Sequence, residues 1–259
     1  MEREVIKSKT NPKIKAWKKL LNKKERTKTQ SYIIEGTHLV LEALQEKAPI
    51  IQWIMTEKYY DENPSVIQLI SEGAKFVFIT EGVANDLSAT QSPQGIFAIL
   101  EMGSTEEFNW DGSRYVLIDQ VQDPGNLGTI IRTADAAAVD GVIIGSGSVD
   151  VYNDKVIRST QGSIWHLPII EMELTDAIRS LQDNQVKVYA TVLHKEAKAY
   201  TEIQSIEKMA LIVGNEGQGV QEKLQSLADE FTYIPMPGKA ESLNVAVATA
   251  ILLFHFIRI

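Results

Sequence analysis

The 259-residue sequence predicts an α/β protein in which a mostly parallel sheet in the C-terminal part follows a smaller α/β unit. Two observations carry this expectation. Beyond residue 113, five apolar runs (YVLIDQV, GVIIGSG, VKVYATVLH, MALIVGNEG and FTYIPMPG) end in polar or Gly-rich turns and are separated by amphipathic segments. Continuous apolar strands alternating with helices mark a parallel sheet covered on both faces. Up to about residue 103 shorter strand-like and helix-like runs alternate, and the polar, poorly periodic residues 104–113 divide the two parts as a linker.

Taken in order, residues 1–26 read as a basic arm. Residues 1–30 hold eleven Lys and Arg against three Glu, a net of +8, and since the whole chain is −8 the remainder carries −16. A basic end on an acidic body fits a polyanion contact at that end, although a solvated helix face has the same composition. Trp17 and Tyr32 lie in or beside the run. Aromatic faces among lysines suit stacking on unpaired bases, and they suit a core equally well.

Residues 27–103 supply the small α/β unit, with SYIIE, IQWIM and KFVFI as strands and THLVLEALQEK and PSVIQLISEG as helices. Residues 114–259 supply the parallel sheet. In such sheets ligands bind beyond the carboxyl ends of the strands.

Composition removes several function classes. The chain has no Cys, which excludes a disulfide scaffold, a thiolate metal site and a cysteine nucleophile. His38, His166, His194 and His255 lack the spacing of a zinc site, so no metal is expected. The N-terminal MEREVIKSKTNPKIK does not read as a secretory signal, and a cytoplasmic location is the expectation. The most apolar stretch, residues 243–259, carries Asn244, Thr249, His255 and Arg258 and falls short of a membrane span, so no membrane partner is expected. A buried helix, or one in a subunit interface, fits it better.

Three loops hold the polar residues with chemical potential. In the first, Asp123-Pro124-Gly125-Asn126 turns a strand into a helix, with Asn126 available as its N-cap, and Arg132 follows among aliphatic and small residues. An arginine pointing inward there needs phosphate or a carboxylate. In the second, Gly214-Asn215-Glu216-Gly217-Gln218-Gly219 follows a strand directly, and its glycines allow close backbone approach to a ligand. In the third, Pro235 and Pro237 stiffen the chain before a helix that Ser242 can cap, with Asn244 in its first turn.

In this order the three segments DPGNLGTIIRTADAAAVDGVII, LIVGNEGQGV and IPMPGKAESLNVAVATAILLFHFIR resemble the three signature motifs of the SpoU-type (TrmH family) RNA 2′-O-ribose methyltransferases of the SPOUT superfamily. VIRSTQGSIWHLPI is similar to the family's intermediate segment, and residues 27–103, including YIIEGTHLVLEAL, resemble more weakly its ribosomal-protein-like substrate-binding domain. The resemblance implies a deep trefoil knot in the catalytic domain, which general topology rules treat as a rare exception. It implies S-adenosylmethionine as cofactor, RNA (ribosomal or transfer, with rRNA favoured) as substrate, and a homodimer joined through the C-terminal domain.

Carried over residue by residue, the resemblance implies a catalytic set of Arg132, Asn126, Glu216, Ser242 and Asn244. It places the cofactor against Thr191, Val192, Leu193, Gly214, Asn215, Gly217, Ile234, Met236, Leu243 and Asn244. Arg132 activates the ribose hydroxyl in this scheme. A guanidinium stays charged in proteins, so stabilising the developing alkoxide is the expected role rather than proton abstraction. Glu216 is expected to hold Arg132 or Asn126.

Two other readings compete. A nicotinamide or flavin enzyme built on GNEGQG would need an acid for the ribose at the end of the next strand, where Pro235-Met236 stands instead. A non-catalytic RNA-binding protein would have no need of the intact polar set of the three loops.

Overall fold

The computed structural model describes residues 3–70, 74–103, 108–204 and 206–257. Residues 104–107 of the expected linker lie outside the described residues. The chain divides into two compact units, one of residues 1–103 with 152–165 and one of residues 104–151 with 166–259.

The first unit contains β1 (Val5–Ile6), α1 (Pro12–Lys19), α2 (Lys23–Thr29), β2 (Ser31–Glu35), α3 (Thr37–Gln45), β3 (Ile50–Thr56), α4 (Glu57–Glu62), α5 (Pro64–Leu69), β4 (Phe76–Ile79), α6 (Glu81–Leu87) and β5 (Ile96–Glu101). The strands pair in the order β1-β4-β3-β5-β2. The pairs β1–β4 and β4–β3 are parallel, and β3–β5 and β5–β2 are antiparallel. Their alternating side chains separate two cores, one around Tyr32, Trp53 and Leu100 and the other around Ile14, Trp17, Ile54 and Phe97.

The described residues of the expected basic arm, 3–26, are folded into this unit. Ile14, Trp17 and Leu20 are buried in one of its cores, and buried Arg26 donates from Nη1 to the Leu20 carbonyl at 2.8 Å. Trp17 and Tyr32 are 8% and 2% exposed, so of the two roles open to them the core is the one they take.

The second unit contains β6 (Arg114–Ile118), α7 (Pro124–Ala136) and β7 (Gly141–Ile144). The next helix, α8 (Asp154–Thr160), belongs to the first unit, where Ile157 enters the core with Tyr32 and Leu100. The chain then returns through β8 (Ile169–Glu171), α9 (Leu174–Asp183), β9 (Lys187–Thr191), β10 (Lys198–Ala199), β11 (Met209–Val213), α10 (Glu222–Gln225), β12 (Glu230–Tyr233) and α11 (Val245–Phe256). The expected C-terminal domain, residues 114–259, is thus interrupted by a segment whose apolar face is buried elsewhere.

The seven strands of this unit lie in the order β10-β12-β9-β11-β6-β7-β8, and every pairing is parallel. All five residues of β11 are buried, as a central strand covered on both faces requires. From β6 the chain moves outward through β7 to β8 and then crosses to the other side, so the direction of winding reverses between β6 and β11. That reversal is the usual position of a ligand crevice. No described helix is long and apolar enough to cross a membrane.

Candidate functional site

The first and second loops leave the carboxyl ends of the adjacent strands β6 and β11. Asp119, just past β6, continues their ladder by donating its N–H to the Val213 carbonyl at 2.9 Å. Its side chain is 1% exposed and accepts from the Gln221 backbone N–H at 2.7 Å and from the Gln221 side-chain amide. A buried carboxylate needs such donors, and here they close the far end of the second loop. Gln120, in the left-handed region at φ 55°, accepts through its carbonyl from Asn215 Nδ2 at 2.9 Å. A positive φ is uncommon for glutamine and fits a fixed turn.

The second loop folds back on itself. Asn215 and Gly219 exchange backbone hydrogen bonds of 3.0 and 2.9 Å, and Asn215 Oδ1 accepts from the N–H groups of Gly217 and Gln218. A Cβ at Gly214 would stand 2.2 Å from the Gly219 carbonyl carbon, so glycine is required there by packing. Glu216 projects from the tip of this loop and is exposed.

Both expected helix caps are displaced. Asp123, not Asn126, caps α7: it accepts from the Asn126 N–H at 2.9 Å, and Pro124 takes the first helical position. Asn244, not Ser242, caps α11, accepting through Oδ1 from Ala246 N at 2.9 Å and Val247 N at 3.3 Å. Ser242 is exposed and has no hydrogen-bond partner among the described residues.

The displacement frees the Asn126 side chain. Asn244 donates from Nδ2 to Asn126 Oδ1 at 2.9 Å, and Asn126 donates from Nδ2 to Glu216 Oε1 at 2.9 Å. The three loops therefore meet in one hydrogen-bonded row, Asn244 to Asn126 to Glu216. Partial desolvation by its neighbours pushes the exposed Glu216 carboxyl up, but donors from Asn126 and from the backbone N–H groups of Glu216, Asp123 and Gln122 outweigh it, and its pKa lies below the ordinary value. Each asparagine keeps one amide hydrogen for a further acceptor.

Arg132 sits on α7, six residues beyond Asn126. It does not point inward: its side chain is exposed and has no partner among the described residues. Of the alternatives for Glu216, the contact made is with Asn126.

The residues expected at the cofactor come from three neighbouring strands, β9, β11 and β12. Thr191 Oγ1 donates to the Ile212 carbonyl at 3.0 Å and Val192 N to the Thr232 carbonyl at 3.1 Å, which fixes the exit of β9. Leu193 beyond it is 83% exposed, and Leu243 is 37% exposed. Ile234 and Met236 leave β12 half-buried. Asp119 and Gln221 were not singled out from the sequence, although an acid at the end of an apolar strand is a readable sign of a built polar contact.

A wholly parallel sheet with polar loops gathered at its winding reversal is the arrangement of a ligand-binding α/β domain. Residues 113–254 match the SpoU rRNA methylase family, and residues 11–98 match the MRM3-like substrate binding domain. The 23S rRNA (guanosine(2553)-2′-O)-methyltransferase RlmP of Bacillus subtilis is 44% identical over 250 residues, covering 96% of this chain and 98% of that protein. The crystal structure of an AdoMet-bound rRNA methyltransferase from Sinorhizobium meliloti is 33% identical, with a TM-score of 0.87, over 98% of this chain and 97% of that one. The SpoU methyltransferase AviRb of Streptomyces viridochromogenes, 24% identical, shares the fold with a TM-score of 0.84 over 96% of this chain and 97% of that one. The chain belongs to the SpoU rRNA methylase family.

Proposed function

We propose that the protein transfers the methyl group of S-adenosylmethionine to a ribose 2′-hydroxyl of ribosomal RNA, with large-subunit rRNA as its substrate. The row Asn244–Asn126–Glu216 carries this reading, because it unites all three motif loops in one hydrogen-bonding surface. The B. subtilis relative, named for guanosine methylation in 23S rRNA, supports the choice of RNA.

The residues present fit S-adenosylmethionine. Leu193 and Leu243, two of the six exposed large hydrophobic residues among those described, offer apolar cover beside the backbone groups of the second loop. When bound, the cofactor supplies a methyl group activated by positively charged sulfur. The free amide hydrogens of Asn126 and Asn244 orient the ribose, and Glu216 keeps Asn126 facing it. Arg132 stabilises charge developing on the 2′-oxygen and holds a neighbouring phosphate, while Ser242 lends a hydroxyl to the same surface. Fixed alignment of the reacting groups contributes several kcal/mol.

The reading includes the trefoil knot implied by the motifs, a cytoplasmic location where ribosomal RNA is found, and a homodimer. Val247 and Phe254, seven residues apart on α11, are 49% and 50% exposed, and such an apolar face suits a subunit interface.

Mapping ribose methylation in rRNA from cells with and without the gene tests the proposal. One large-subunit ribose methylation, lost with the gene and restored in vitro by purified protein and S-adenosylmethionine, is expected. An unchanged methylation map with no transfer in vitro would overturn it.

A further inference from the structure

We infer that the solvent faces of α1 and α2 form a lysine clamp for the phosphodiester backbone of the substrate RNA, recognising charge rather than base sequence. This rests on the RNA-methyltransferase reading above. Most of the +8 run of residues 1–30 lies on two helices, α1 and α2, with a strict division of labour. Ile14 and Trp17 on α1, Leu20 just after it and Arg26 on α2 face inward, and Lys15, Lys19, Lys24 and Lys28 face outward.

Helical spacing organises these lysines. Lys15 and Lys19 are one turn apart, as are Lys24 and Lys28, so each pair stands on one helix face about 5–6 Å apart at Cβ. Like charges at this spacing destabilise an isolated helix. Lys13 and Lys24 occupy first turns, where the helix dipole favours acids, and Glu25 is the one acid in either first turn. Lys19 and Lys28 stand in last turns, where the dipole favours cations, so folding accounts for those two but not for Lys15 and Lys24, whereas a polyanionic partner accounts for all four.

Neutralisation of the outward lysines is sparse among the described residues. Lys18 pairs with Asp86 at 2.9 Å, but Lys13, Lys15, Lys19, Lys24 and Lys28 have no ion-pair partner among the described residues. Trp17 is closed in the core, so no aromatic face is left on α1 to stack with bases. What remains is a flexible array of ammonium groups, which suits phosphate.

The test uses the full chain and a large-subunit rRNA fragment that the wild type methylates. The variant K15Q/K19Q/K24Q/K28Q should lower the log–log salt dependence of RNA affinity by about 3, at roughly 0.7–0.9 per phosphate contact. S-Adenosylmethionine affinity, measured by calorimetry, should stay at the wild-type value and report a folded protein. The paired variants K15Q/K19Q and K24Q/K28Q should each give about half the change. In the unmodified protein, bound RNA should shield these four lysines from amine acylation. An unchanged salt slope, or acylation unaffected by RNA, would overturn the clamp even where methylation proceeds. Absence of methylation by the wild type would instead strike the function itself.

Discussion

Asn244 donates to Asn126 at 2.9 Å across 118 residues of sequence, and helix α11 sets the direction of that bond. Because the Asn244 oxygen is occupied by the N–H groups of Ala246 and Val247, its amide nitrogen must face Asn126. Asn126 then presents its own nitrogen to Glu216. The polarity of the row is thus imposed by a helix cap.

Asn244→Asp separates capping from donation. Aspartate still caps α11 but has no N–H for Asn126, so thermal stability should stay near wild type while methyl transfer falls at least about 100-fold. Asn244→Ala should lose the transfer and also about 1 kcal/mol of stability. Melting curves alongside transfer assays decide this, and an active Asn244→Asp enzyme would remove the row from the mechanism.

Glu216→Gln should slow transfer by roughly 10- to 100-fold, since a hydrogen bond to a charged group weakens to a neutral one. The lowered carboxyl pKa also has a pH signature. The ionised form stabilises the folded protein above the ordinary glutamate pKa, and this contribution is lost as pH falls through the lower folded value. Titrating Glu216 by NMR should place its midpoint below 4.5, the reference value for this group.

Arg132→Ala should reduce single-turnover methylation by about 100-fold or more, with S-adenosylmethionine affinity nearly unchanged. Arg132→Lys should recover little, because an ammonium lacks the planar fork. Comparable turnover in the alanine variant would assign Arg132 to the surface alone.

Asp119→Ala leaves the Gln221 donors without an acceptor beside a buried site, which should cost about 1–3 kcal/mol and weaken S-adenosylmethionine binding by loosening the second loop. Asp119→Asn, able to accept one of those bonds, should recover part of both. Denaturant titration and calorimetry report the two effects separately.

Phe254→Glu or Val247→Glu, placed on the exposed apolar face of α11, should convert a dimer into a monomer in light scattering and reduce transfer. A monomeric wild type would refute this interface outright.

Much of the fold was legible in the sequence because local pattern and tertiary environment agree. SYIIE became β2 without adjustment, and the continuous apolar runs became parallel strands since both faces of that sheet are covered. The polar residues worth attention were also legible, because they interrupt apolar or glycine-rich segments at strand ends.

Other features are decided only by long-range packing. Nothing local makes residues 152–165 join the first unit, or turns Trp17 from a possible stacking surface into core. The sequence by itself determined the α/β class, the three loops and the uneven charge, all consequences of periodicity and composition. Tertiary structure alone decided that Asn244, Asn126 and Glu216 meet in one row. The caps follow from local geometry, Asp123 ahead of Pro124 and Asn244 ahead of Val245, whereas the row needs loops 90 or more residues apart to be brought together by packing.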